Sequence, residues 1–368
     1  VNRIWRAVGI AGGVLGAAVG AGAVGAATQT RRIKNQRADG AGTDPFGDEP
    51  LGELRPTRTS TVAADDGTPL AVEEVDPADG GKAELTVVLV HGYVLDRRCW
   101  HFQRRDLAEL VDPRVRLVLY DQRSHGRSGR SNRENSTIEQ LGHDLASVLR
   151  ALAPEGPLVL IGHSMGGMTI MALAEQEPEL FVKRVRGVAL IGTAAGKVGS
   201  SGLPRPVLSR YNPVTLGLGK VAGALPNVVE RVRGMGGQII WAAVRRLAFG
   251  DREVSPALVD FMDRMIDGTP VEVITDFLST LETHNRYAAL AGLRHCTVLV
   301  LGGDADRLTP YSHSEAIAAE LPDAELVRAP DAGHMVMLEQ ADLVTGKLAE
   351  LIRRCASGGT GKRWWRKA

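Results

Sequence analysis

The chain has 368 residues, 44% of them apolar, and a formal net charge of +1. That apolar share suffices for one large domain or two small ones, and the near-neutral balance gives no global field for nucleic acid or another polyanion. Three scattered cysteines, Cys99, Cys296 and Cys355, make no disulfide framework and, without a Cys-x-x-Cys, no metal site; they read as idle or buried thiols.

The first element in chain order is Val8 to Ala27, twenty residues of Gly, Ala, Val, Ile and Leu only, seven of them Gly. As a helix it is about 30 Å long, enough to cross a bilayer core. Arg3 and Arg6 precede it, and Arg31, Arg32, Lys34 and Arg37 follow. The heavier positive flank places the rest of a spanning chain in the cytoplasm. Residues 1–37 are therefore expected to form a membrane anchor with a cytoplasmic catalytic domain. The alternative is a cleaved export signal with small residues around Ala23 to Ala27. Residues 38–56, rich in Gly, Asp, Glu and Pro and without a period, read as a linker.

From Thr57 the pattern changes. Thr59–Ala63 and Leu70–Val75, joined across Asp65-Asp66-Gly67, predict a hairpin. Short apolar β-branched runs then alternate with helical stretches. Strands are predicted at Thr86–Val90, Val115–Tyr120, Leu158–Ile161, Val188–Ile191, Val298–Leu301 and Glu325–Val327. Helices are predicted at Ile138–Leu152, Gly167–Glu175, Ser314–Glu320 and Leu343–Arg354. Such alternation implies parallel strands buried on both faces. Residues 57–194 and 290–355 read as two parts of one core. Between them, 195–289 shows no clear strand and reads as a helical cap, with helical stretches at Asn227–Phe249 and Ser255–Leu281. Its apolar residues Met235, Ile239, Trp241, Phe261, Met262, Met265 and Phe277 are expected mostly to fill the cap, with some lining a pocket. Residues 356–368 contain Lys362-Arg363-Trp364-Trp365-Arg366-Lys367, which suits a membrane interface or is a frayed basic tail.

Ser164 carries the strongest chemical signal. It stands in Gly162-His163-Ser164-Met165-Gly166, after a predicted strand and before a predicted helix. A nucleophile on such a turn needs small flanking residues, hence Gly162 and Gly166, and presents its hydroxyl beside a helix N-terminus. A serine hydroxyl needs a base, and the base an orienting carboxylate. His334, in Asp331-Ala332-Gly333-His334 before the last helix, is the best-placed base. Asp304 and Asp306, after Val298–Leu301, are both candidates for the acid, and either also fits a turn aspartate capping its own backbone. Developing negative charge needs preset N–H donors; those of Met165 and of Tyr93, in the loop His91-Gly92-Tyr93, are the candidates. His91 and His163 adjoin glycines at strand ends and read as loop supports.

Together these residues resemble the α/β-hydrolase fold family, near its esterase, lipase and cofactor-free haloperoxidase-like branch. His91-Gly92, Gly162 to Gly167, Gly303 to Pro310 and Gly333-His334 follow the family's order. Asp121 to Ser128 resembles its structural turn. The resemblance covers about residues 57 to 355. It implies a mostly parallel eight-stranded sheet flanked by helices with a helical cap insert, and it selects Asp306, four residues before Pro310, as the acid. Epoxide hydrolases and haloalkane dehalogenases in this fold use an Asp nucleophile, and prolyl aminopeptidases typically a Gly-Gly-Ser-Trp-Gly elbow; neither matches here.

The expected function is a serine hydrolase that cleaves a carboxylic ester, lipid or acylglycerol-like, through an acyl-enzyme. The expectation includes no cofactor, no metal and no nucleic-acid partner. An acyltransferase or thioesterase on the same triad, a cofactor-free peroxidase-like enzyme and a non-catalytic binding protein are the rivals.

Overall fold

The hairpin opens one sheet. In the computed structural model, which describes residues 44–198, 245–251 and 253–357, the strands are β1 (Arg58–Ala63), β2 (Pro69–Val75), β3 (Leu85–Val90), β4 (Val115–Tyr120), β5 (Leu158–His163), β6 (Val185–Ile191), β7 (Thr297–Gly303) and β8 (Glu325–Ala329). Their order is β1-β2-β4-β3-β5-β6-β7-β8. β2 pairs antiparallel with both β1 and β4, and every other pair is parallel. β3 and β5 are buried along their whole length, whereas edge strand β8 alternates. That difference explains why the inner strands read as unbroken apolar runs.

Helices α1 (His101–Leu107), α2 (Ile138–Leu152), α3 (Met165–Gln176) and α4 (Pro178–Lys183) belong to the first part of the core. α5 (Pro256–Asp267) and α6 (Val271–Thr283) lie in the cap. α7 (Leu290–Leu293), α8 (Ser312–Glu320), α9 (Val336–Glu339) and α10 (Ala341–Ala356) complete the chain. The period-2 alternation of β3 sorts the core into two layers. Val87 and Leu89 pack with Phe102 of α1 and Leu348 and Leu351 of α10. Val88 and Val90 pack with Leu145 and Val148 of α2 and Ile170 of α3. α2 starts where its sequence says it should: the Thr137 hydroxyl accepts from the N–H of Gln140, an N-cap bond.

Two expectations are corrected. The predicted helical stretch Ser255–Leu281 is two helices, because Pro270 supplies no N–H and disfavours a helical Thr269. And residues 44–56, read as linker, hold onto the body. The Asp44 carboxylate accepts from Ser255 Oγ at 2.6 Å and from the N–H of Ala257 at 3.0 Å, at the start of α5. Phe46 packs on Phe102, ring centroids 5.3 Å apart, and Leu51 is buried in the core. The N–H of Gly52 donates to His101 Nδ1, leaving Nε2 of that ring to donate to Glu49. The arm docks through isolated apolar residues in turns, so it shows no period.

The apolar segment 8–27, the basic Trp tail, most of Asn227–Phe249, and Met235, Ile239 and Trp241 lie outside the described residues. Among the described residues no helix is long and apolar enough to cross a membrane. All three cysteines are free thiols, with Cys99 and Cys355 buried.

Candidate active site

Every residue singled out for chemistry follows the carboxyl end of a strand. β3 lies between β4 and β5, so the connections leaving it and returning diverge there, and open α/β sheets form their ligand crevice at such a reversal. His91-Gly92-Tyr93 follows β3, Ser164 follows β5, Asp304 and Asp306 follow β7, and His334 follows β8.

Ser164 has φ 53° and ψ −119°, a left-handed conformation for a non-glycine residue. Strain of this sort costs roughly 1–3 kcal/mol and persists only where the surroundings impose it. Here they do. A Cβ on Gly162 would sit 2.6 Å from the backbone of Gly166 and Gly167, and one on Gly166 would collide with the carbonyls of Val90 and His91. Only glycines let β5 turn this tightly into α3. The N–H of Ser164 donates to the Ile191 carbonyl, and its own carbonyl accepts from Thr193 Oγ at 2.6 Å. The residue is half-buried.

His334 and Asp306 are in direct contact, Nδ1 to Oδ2 at 2.9 Å, with the carboxylate side chain fully buried. Burial alone would raise the Asp306 carboxyl, but the His334 imidazole and the N–H groups of Thr309 and Leu308 hold it below the usual carboxylate value. Asp304, the other candidate, does not reach the imidazole. Its carboxylate accepts from the N–H of Asp331 at 2.7 Å and from Arg328. It is the turn aspartate, tying β7 to the loop that leads to His334.

The loop after β3 lies against the elbow: a Cβ on Gly92 would be 3.1 Å from Ser164 Cβ. Within the described residues no hydrogen bond takes up the N–H of Tyr93 or of Met165. Both are therefore unspent donors beside Ser164, the arrangement an oxyanion hole requires. The Tyr93 hydroxyl donates to the Ile274 carbonyl of α6, fixing this loop to the cap, and burial pushes its pKa well up. Met165 packs with Phe277 and Leu281 of α6, while Phe261, Met262 and Met265 fill the interface between cap and core. His91 supports the loop: Nδ1 donates to the Gly92 carbonyl at 2.7 Å, and Nε2 accepts from the N–H of Gln122 at 2.9 Å.

His163 is the other support. Its Nε2 donates to the His334 carbonyl at 2.9 Å, and the two rings lie with centroids 4.7 Å apart and planes tilted by 55°. Its Nδ1 is buried without a partner, against Gly92. Burial lowers the pKa of His163 and of His125 to about 3, and that of His91 to about 4. An unfolded histidine titrates near about 6.5, so on acidification the unfolded chain takes up these protons first. Stability is thus complete above that value and lost as pH falls toward the folded values. At about pH 4.5 each of these histidines costs roughly 3 kcal/mol, so Tm measured by calorimetry should fall steeply between neutral pH and that point. A flat Tm over this range would contradict the neutral, buried assignment.

Three supporting residues carried no sequence signal strong enough to single them out. Thr309 Oγ lies 2.9 Å from Asp306 Oδ2, 2.8 Å from the Gly192 carbonyl and 3.2 Å from His334 Nδ1. Its single proton serves one of the two oxygens at a time. Gln122 donates to the His91 carbonyl and accepts from Thr169 of α3, joining the loop after β3 to the helix that follows Ser164. Arg97, buried, pairs with Asp121 and Glu73 and so pins the segment that follows the same loop. Their only cue is position beside the motifs. Among the described residues no group of His, Cys, Asp or Glu is arranged to hold a metal ion.

A model of the alpha/beta hydrolase family matches residues 87–346. A proline iminopeptidase, PfmaB, from Pestalotiopsis fici is 27% identical over 245 residues, which is 65% of this chain and 82% of that protein. The sn-1-specific diacylglycerol lipase ABHD11 of Mus musculus is 28% identical over 286 residues, 74% of this chain and 83% of its own length. The structure of a thermophilic esterase from Thermogutta terrifontis superposes with a TM-score of 0.62 at 26% identity, covering 82% of this chain and 100% of that one.

Proposed function

Because the chain belongs to the alpha/beta hydrolase family, we propose that this hydrolase cleaves a carboxylic ester through an acyl-enzyme, with Ser164 as nucleophile, His334 as base and Asp306 as the acid that orients it. The contact between His334 Nδ1 and Asp306 Oδ2 at 2.9 Å carries the reading. It occupies Nδ1, so Nε2 is the nitrogen that takes the Ser164 proton as the hydroxyl attacks the ester carbonyl. Asp306, held ionised, stabilises the imidazolium that results. The N–H groups of Tyr93 and Met165 receive the oxyanion. The imidazolium then protonates the departing alkoxide. Water, deprotonated by His334, attacks the acyl-enzyme and releases the acid.

The surroundings of Ser164 are apolar on the cap side. Met165, Met168, Phe277 and Leu281 form one buried cluster with Tyr93 at its margin, which favours an ester with an apolar acyl group over a charged one. The lipase and esterase names of two relatives agree with that class. The proline iminopeptidase relative is a weaker guide, because the elbow here reads Gly-His-Ser-Met-Gly.

The test is covalent. A fluorophosphonate probe should label the folded protein, and peptide mapping should find the adduct on Ser164. A label on any other serine would overturn the assignment of the nucleophile.

A further inference from the structure

Glu339, at the end of α9, has a side chain that no step above uses. One carboxylate oxygen accepts from the N–H of Gly250 at 2.8 Å and of Asp251 at 2.9 Å; the other accepts from the N–H of Gly333 at 2.6 Å. Gly250 and Asp251 lie shortly before α5 of the cap, and Gly333 directly precedes His334. The two backbones are nearly in contact: a Cβ on Gly250 would sit 2.6 Å from Ala332 C and Gly333 N. The same segment holds the other side of the base, since the N–H of Met335 donates to the Ala248 carbonyl at 2.9 Å. Arg307, one residue after Asp306, donates to the carbonyl of Phe249 at 3.2 Å. Residues 248–251 thus touch the backbone just before His334, just after it, and the turn that bears the acid. From the sheet side, the His334 carbonyl accepts from His163 Nε2, and the Ala332 carbonyl accepts from the N–H of Ala305 just after β7.

The geometry points to Glu339 as a positioning residue that makes the placement of His334 depend on how residues 248–251 of the cap are seated. A carboxylate suits the task because it is acceptor-only and can serve N–H groups from two directions. An amide in its place turns a donor toward one set of N–H groups, so one of the two backbones is released. A shift of about 1 Å in a reacting group costs up to about a hundredfold in rate. A substrate that lifts the cap segment loses catalysis through the same linkage, even when it binds.

This inference rests on His334 being the base, and the test separates the two. Full-length Glu339→Gln is assayed on a short p-nitrophenyl ester, with active sites counted by the burst of p-nitrophenol. The expected result is a fall in kcat per active site of about tenfold or more, a parallel fall in the rate of fluorophosphonate labelling, and a KM changed much less. Unchanged kcat and labelling rate per active site, whatever happens to Tm, would reduce Glu339 to a structural role and overturn the inference. His334→Ala is measured alongside: an active His334→Ala protein sinks the reading of the base, whereas an inactive one beside a fully active Glu339→Gln sinks only the present inference. Should Glu339→Gln fail to fold, hydrogen exchange on the unmodified protein decides. The amides of Gly250, Asp251 and Gly333 should be protected together, and exchange at the rate of open loops would overturn the clamp.

Discussion

Ser164→Ala should lower kcat on a short p-nitrophenyl ester by about a millionfold, the scale on which removing the nucleophile of a hydroxyl–imidazole–carboxylate set acts. The residue left behind still has Met165 and Tyr93 N–H groups beside it, so a small rate above water persists. The fold should survive, because the Ser164 backbone is held by Ile191 and Thr193 and the substitution removes one oxygen. Ser164→Gly makes a sharper companion. It removes the same hydroxyl and also relieves a φ of 53°, so it should be inactive yet more stable than Ser164→Ala by roughly 1 kcal/mol. Calorimetry of the two variants reads this directly. If Ser164→Ala keeps more than about a hundredth of the activity, the chemistry lies elsewhere.

The second large effect separates the two aspartates. Asp306→Asn keeps the shape of the side chain but replaces an acceptor by a donor opposite His334 Nδ1, favouring the tautomer in which Nε2 carries the proton and cannot take one. A fall of about ten-thousandfold in kcat is expected. Asp304→Asn should change kcat by less than about tenfold, since Asp304 reaches the base only through the backbone of Asp331. Its cost should appear as a lower Tm. The reverse pattern would exchange the two roles.

The strands were legible because the sheet is mostly parallel and covered on both sides. That burial wrote Leu-Thr-Val-Val-Leu-Val and Leu-Val-Leu-Ile as runs that no surface element would carry. The elbow was legible for the same kind of reason: a turn this tight admits few residue types at 162 and 166. What stayed unread was held by contacts between distant segments. Asp304 and Asp306 look alike from two residues apart, and only the approach of β8 distinguishes them; the family pattern, not spacing, picked Asp306. Glu339 reads as one more charge in a helical stretch until residues 248–251 fold over it. The arm at 44–52 is written in turns, which have no period to find.

That arm has a mechanical consequence. Its grip is divided between Asp44 on the first turn of α5 and Glu49, Leu51 and Gly52 on α1. Traction on the chain upstream of Asp44 would therefore arrive first at the cap, through two hydrogen bonds, before it reached the sheet. α5 of the cap is thus the first part of the described fold to take such a load.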